Sequence, residues 1–312
     1  MAPNGSSPTG APQVISIGEV MAEFSRGADG RYGAAYGGDT FNTAVYLARA
    51  GITTSYVTAL GDDTYSDAIR AAAEAEGIAT RLMLRVPGRT VGLYVIDTDA
   101  RGERTFSYWR DNSPARDLFE LPGWEVVAEA LIEASVIYLS GITLSLYSNN
   151  GLGRLLATLE FARERGARIV FDTNFRPRAW GGDIARARAV YAQALKRSSI
   201  ALPTFEDEVM LWGDGSPAAT AERLATFGVP EVVVKNGAEG ALVMAGGASH
   251  FVPIPAPVQP VDTTAAGDSF NAAYLAARLT GATPVAAAEA GHALAGRVIR
   301  HRGAIMPRPA NA

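Results

Sequence analysis

The chain has 312 residues, 48% of them hydrophobic and 19% charged, with a net charge of −4; this is ample for one large core, and it lacks the basic stripe that a nucleic-acid partner needs. There is no cysteine, which excludes disulfides, thiol nucleophiles and cysteine metal sites, and the scattered His250, His292 and His301 have no metal-ligand spacing. No run approaches the ~20 apolar residues of a membrane span.

The opening MAPNGSSPTGAPQ has neither a basic nor an apolar signal segment, so residues 1–12 are expected to be a disordered tail on a cytoplasmic protein, with a single domain over 13–312. VISIGE (14–19) reads as a first strand. MAEFSRGADGRYGAAYGG (21–38) follows as strands joined by hairpin-like turns. YGGDTFN then sets a glycine turn before a helix, where Asp39, Thr40 and Asn42 suit several sugar hydroxyls as well as they suit a turn and an N-cap.

TSYVTALG is a further strand and SDAIRAAAEAEG a helix. TVGLYVIDTDARGERTFSYWR (90–110) again reads as strand, turn and strand, with the turn around DTDARGE. Together the two irregular stretches predict a small β-lid, formed by about 21–38 and 90–111, whose open face needs a ligand, a helix or another subunit to cover it. On its second segment stand Tyr94, Tyr108 and Arg110. Tyr108 and Arg110 are two apart and face one side of a strand. They suit a hydroxylated acid, with the guanidinium forked onto a carboxylate, or else an exposed strand face or dimer contact.

SVIYLSG, RIVFDTN, SIALP and EVVVKNG alternate with helical patterns that stop at glycines (Gly51, Gly77, Gly166, Gly228), as C-caps do. This is the βαβ rhythm of a mostly parallel sheet with helices on both faces, a three-layer α/β/α body. Ligands of such sheets bind outside the carboxyl ends of the strands. FDTNFRPR offers Asn174, Arg176 and Arg178 there, and EVVVKNGAEGA offers Lys235 and a glycine-bearing turn. Lysine is scarce: Lys196 and Lys235 are the only two among 28 basic residues. Lys235 is either a solvated strand-end cation or part of a phosphate-contacting turn. Neither a P-loop nor a GxGxxG sequence occurs.

DTTAAGDSF (262–270) puts Asp268 behind two alanines and a glycine where an apolar helix begins. Small residues at a helix start let backbone N–H groups line an anion hole, so Asp268 is either a helix cap or a general base beside that hole.

With these residues in hand, the chain resembles the ribokinase-like sugar kinases, the PfkB family. YGGDTFNTAVYLARAG is similar to the first family motif, and VDTTAAGDSFNAAYLAARL to the second, usually DTxGAGD. GERTFSYWR, YLSGITLSL, FDTNFRPRAW, VVVKNGA and RGAIMPR are similar to the branch acting on keto-deoxy sugar acids. The resemblance implies a ribokinase-like fold with a β-lid, and transfer of the ATP γ-phosphate to the 6-hydroxyl of 2-dehydro-3-deoxy-D-gluconate. By motif match, Asp268 is the base and Ala265, Ala266 and Gly267 form the anion hole.

Gly38, Asp39, Thr40, Phe41, Asn42, Tyr94, Tyr108, Arg110 and Arg176 correspond to the sugar-acid contacts, with Asp268 beside them. Asn174, Arg176, Lys235, Asn236, Gly237, Ala238, Glu239, Gly240 and Ala265 to Asp268 correspond to the ATP side. Mg²⁺ is expected on the phosphates and water; the family's NxxE motif stands here as Thr204 and Asp207, so Asp207, flanked by Glu206 and Glu208, is expected to support the metal through water. Ala265 replaces the family's usual glycine. Because the lid face needs covering, a homodimer through the lid is also expected. A neutral-sugar kinase and a non-catalytic sugar-acid sensor are the competing expectations.

Overall fold

A computed structural model describes residues 14–27, 29–98 and 104–308; the tail expected over 1–12 and the centre of the DTDARGE turn lie outside them. In chain order the elements are β1 (Val14–Ile17), β2 (Met21–Arg26), β3 (Tyr32–Gly37), α1 (Asp39–Arg49), β4 (Thr54–Leu60), α2 (Thr64–Ala75), β5 (Met83–Arg85), β6 (Leu93–Thr98), β7 (Arg104–Trp109), α3 (Trp124–Ile132), β8 (Val136–Ser140), α4 (Gly141–Leu146) and α5 (Asn149–Glu164). They continue as β9 (Arg168–Asp172), α6 (Ile184–Leu195), β10 (Ile200–Ala201), α7 (Phe205–Trp212), α8 (Pro217–Thr226), β11 (Glu231–Lys235), β12 (Ala241–Ala245), β13 (Ala248–Val252), α9 (Ala266–Leu279) and α10 (Pro284–Val298). None of these helices is long and apolar enough to cross a membrane.

The large sheet runs in the order β13-β12-β11-β10-β9-β8-β1-β4-β5, parallel from β5 to β11. At its edge β12 and β13 turn antiparallel. Its strands are apolar on both faces because successive side chains enter different cores. Ile169 and Phe171 of β9, with Val232 and Val234 of β11, enter the core that holds Leu155 and Leu159 of α5. Val170 and Val233 enter the opposite core with Phe270 and Tyr274 of α9. That is the three-layer α/β/α arrangement, with helices on both faces.

The second sheet has the order β3-β2-β6-β7. β2 pairs antiparallel with β3 and parallel with β6, and β6 pairs antiparallel with β7. Register sets Tyr94 opposite Tyr108 and beside Glu23. Alternation sends Ala22, Phe24 and Leu93 to the other face, against Phe41 and Ile69 of the body. The chain passes between body and second sheet four times, near Glu19, Gly38, Gly92 and Arg110.

Candidate active site

The carboxyl ends of β1, β9 and β11 and the starts of α1 and α9 meet at a cleft of about 560 Å³, roofed on one side by the second sheet. Of the predicted residues, it is lined by Gly38, Asp39, Asn42, Tyr94, Tyr108, Arg110, Asn174, Arg176, Lys235 and Ala265 to Asp268. Residues distant in sequence are in contact here: Asn42 Nδ2 donates to Asp268 Oδ2 at 2.8 Å, and Asn174 Nδ2 donates to Asp39 Oδ2 at 2.7 Å.

Asp268 sits in the first turn of α9. The first hydrogen bond of that helix runs from Ser269 N to Ala265 O at 2.9 Å, so the Gly267 and Asp268 amides precede the helical ladder and are free to meet an anion. Asp262 fixes the loop before them: its Oδ1 accepts from Thr264 N at 2.9 Å and its Oδ2 from Gly303 N at 2.8 Å. Asp268 keeps part of its surface open to the cleft, yet the surrounding protein strips enough water to push its carboxyl pKa well above the ordinary range, and the nearby Asp39 carboxylate adds to the rise. Asp39 is raised for the same first reason, loss of water, with Asp172 repelling it.

Ala265 adopts the left-handed conformation, φ 60° and ψ 17°. An L-residue there bears about 1–2 kcal/mol of strain that glycine avoids. The cost of alanine here lies in the backbone. Asn174 is the other described non-glycine residue with positive φ, at 28°, so both strained positions face the same cleft, where surrounding structure has to enforce them.

Lys235 is buried, and its ammonium donates to Asn271 Oδ1 at 2.9 Å and Asp172 Oδ1 at 3.2 Å. A Cβ built on Gly267 would stand 3.7 Å from the Nζ. The cation therefore lies just behind the amides of the hole. The rest of its turn does not join it: Asn236, Gly237, Ala238, Glu239 and Gly240 are outside the cleft lining, and Gly240 is needed because a Cβ would meet Val252 O at 2.5 Å.

Three further expectations are placed elsewhere. Thr40 and Phe41 point into the body, Thr40 Oγ1 meeting Tyr56 OH at 2.9 Å and Phe41 packing edge-on to Tyr56 at 5.3 Å. The helical period explains this: at the start of α1 only Asp39 and Asn42 share the cleft face. Asp207 lies behind Arg176, accepting from its Nη1 at 3.0 and 3.1 Å and from Phe175 N at 3.2 Å. Glu206, not Asp207, reaches the cleft, while Glu208 is buried against Arg223.

The arginines are not free cations. Arg176 is held by Asp207, and Arg110 Nη2 donates to Glu19 Oε2. Glu19 and Asp172, which line the cleft, went unread in the sequence. Both stand where a buried apolar strand reaches its carboxyl end, VISIGE and RIVFD, and that position was the available signal. Among the described residues no group of three or more His, Cys, Asp or Glu side chains is arranged to hold a metal.

A doubly covered α/β body with a carboxylate beside the amides of a helix start, facing a second sheet that brings Tyr94, Tyr108 and Arg110 to the same cleft, has the parts of a phosphotransferase site. The chain belongs to the pfkB family of carbohydrate kinases, whose description matches residues 11–311. It is 43% identical over 307 residues to the 2-dehydro-3-deoxygluconokinase of Escherichia coli, covering 96% of this chain and 98% of that one. It is likewise 43% identical over 303 residues to the enzyme of the same name from Dickeya dadantii, covering 94% and 96%. In fold it is similar to the crystal structure of a Thermotoga maritima 2-dehydro-3-deoxygluconokinase, with a TM-score of 0.82 at 22% identity over 95% of this chain and 94% of that one.

Proposed function

We propose that the protein transfers the γ-phosphoryl group of ATP to the 6-hydroxyl of 2-dehydro-3-deoxy-D-gluconate, giving 2-dehydro-3-deoxy-6-phosphogluconate and ADP. The observation that carries this reading is the meeting, in one cleft, of Asp268 and the free α9 amides with Arg110, Arg176, Tyr94 and Tyr108, in a chain whose near full-length relatives bear that enzyme name.

Asn42 holds Asp268 Oδ2, which leaves Oδ1 to take the proton of the acceptor hydroxyl as its oxygen bonds to phosphorus and the bond to ADP breaks. General-base help of this kind contributes roughly 10²–10⁴ in rate. The Gly267 and Asp268 amides, with the α9 dipole behind them, stabilise the charge that gathers on the equatorial phosphoryl oxygens. Lys235 adds positive potential from behind the hole without leaving Asp172.

The carboxylates of the cleft fit Mg²⁺ carried on the phosphates rather than a protein-built cage: Asp172, Asp39 and Asp268 already accept from Lys235, Asn174 and Asn42, and Glu206 is the carboxylate placed to meet a metal-bound water. A bound ion would offset negative charge on the phosphates. Arg110 and Arg176 favour a carboxylate-bearing acceptor over a neutral one.

The second sheet acts as the lid. Its exposed Tyr32, Phe106, Tyr108 and Trp109 support a homodimer through that sheet, and the dependence on ATP supports work in the cytoplasm. The deciding experiment is a coupled ADP-release assay with 2-dehydro-3-deoxygluconate, fructose and ribose. Equal or faster turnover of a neutral sugar would overturn the substrate assignment, and no acceptor-dependent ADP from folded protein with Mg²⁺-ATP would favour a sensor.

A further inference from the structure

The four crossings between body and second sheet converge on Glu19. A Cβ on Gly38 would stand 2.1 Å from Glu19 O, and one on Gly92 would stand 2.9 Å from Glu19 Oε1 and 3.2 Å from Arg110 Cβ. The fourth crossing is Arg110 itself, whose Nη2 is bound to Glu19 Oε2. Both partners are withdrawn from water, with side-chain exposures of 1% for Glu19 and 18% for Arg110. Two polar atoms of the pair, Glu19 Oε1 and Arg110 Nε, are buried with no hydrogen-bond partner.

Buried pairs of this kind are retained for orientation more readily than for stability, because desolvation offsets most of their attraction. With Nη2 on a buried carboxylate and its Cβ packed at Gly92, the guanidinium has few orientations left, and a carboxylate needs such a restricted bearing to be met by two parallel bonds. Glu19 also stands on the link between β1 and β2, so the same contact sets the base of the second sheet relative to the cleft floor.

We infer that Glu19 is the positioning residue of the acceptor subsite: it holds Arg110 so that the free donors of the guanidinium face the carboxylate of the sugar acid, and it ties that contact to the root of the second sheet. The inference rests on the proposed sugar-acid reading. Glu19 acts through Arg110 and takes no part in the phosphoryl step.

The test is a kinetic cycle of Glu19→Gln, Arg110→Lys and the double variant, with the acid acceptor and ATP each varied in turn. Glu19→Gln keeps the shape and removes the charge; it is expected to raise the acceptor KM roughly tenfold while kcat and the ATP KM stay within about twofold. The double variant is expected to cost no more than the worse single one, since both break one interaction. Glu19→Gln should cost the acid acceptor more than it costs a neutral sugar, so that acid-over-neutral selectivity falls with the KM. An unchanged acceptor KM, effects that add, or equal loss for ATP and acceptor would overturn the assignment. Should Glu19→Gln not fold, Gly92→Ala crowds Oε1 from the other side and is expected to weaken acceptor binding, measured by calorimetry without turnover; wild-type affinity in that variant would also overturn it. The proposed function fails separately, through the wild-type protein preferring a neutral sugar.

Discussion

The two walls of the cleft are built on different terms. On the α/β side the charged groups around the helix start are already answered: Lys235 by Asp172 and Asn271, Asp268 by Asn42, Asp39 by Asn174. On the second-sheet side Tyr108 is 49% exposed and Phe106 38% exposed, the two rings stack on each other at 6.4 Å, and Arg110 is bound at one nitrogen only among the described contacts. The first wall is preorganised for a charge that develops in every turnover; the second presents surface to be completed by what binds. On the proposed assignment, chemistry common to a family and choice of acceptor are separated in space.

Breaking the first wall should have the larger effect. Asp268→Asn is expected to lower turnover by roughly two to four orders of magnitude, with ATP and acceptor affinities retained in equilibrium binding. The same variant should melt higher at neutral pH. The carboxyl pKa of Asp268 is raised on folding, so the native chain binds its proton more tightly than the unfolded one, and stability falls as pH rises through the unfolded and then the folded pKa. An asparagine stays neutral and escapes that loss. A melting temperature equal to or below wild type would contradict the burial argument.

Next comes the cation behind the hole. Lys235→Met strands the buried Asp172 carboxylate and is expected to destabilise the fold by about 3–5 kcal/mol, read as a lower denaturant midpoint. Were stability unchanged and only the ATP KM raised, Lys235 would be a direct phosphate ligand and the contrast between the walls would weaken.

With Asp268 as the proposed base, which must be deprotonated to act, the acid limb of kcat/KM against pH should lie above the ordinary carboxylate range. Asp39→Asn removes the largest neighbouring repulsion on Asp268 and is expected to move that limb downward, whatever it does to the plateau. A limb that stays in place would separate the two carboxylates.

The smallest effect sharpens the picture. Ala265→Gly relieves left-handed strain of about 1–2 kcal/mol but frees the unfolded chain by about 0.4–1 kcal/mol, for a net gain near 0.5–1 kcal/mol in chemical denaturation. A loss of stability would mean that the alanine methyl makes contacts worth more than its backbone costs.

Much of this molecule was legible in advance, for identifiable reasons. Strands that feed two cores must be apolar throughout, so VISI, RIVFD and EVVVK announced themselves, and a carboxylate at a helix start with small neighbours marked Asp268. Glycine turns marked the second sheet, and the shared face of Tyr108 and Arg110 followed from the period of two. The β12–β13 hairpin was not read, although its Gly246–Gly247 turn, with both φ values positive, was a usable signal. What local pattern does not contain is pairing across the chain. That Arg110 belongs to Glu19, Arg176 to Asp207 and Lys235 to Asp172 depends on topology, and each pairing changed a cation expected to be free into one already oriented. Thr40 and Phe41 were placed with the sugar because the motif was taken whole, whereas a helix turns successive residues away from one another.

The bond between Asn42 and Asp268 spans 226 residues, and α1 cannot meet α9 until the strands that intervene in sequence have assembled beneath both helices. Contacts of such separation are costly in chain entropy and form late. Refolding from denaturant should therefore recover helical circular dichroism before it recovers turnover, leaving a transient population that is native in outline and silent in assay.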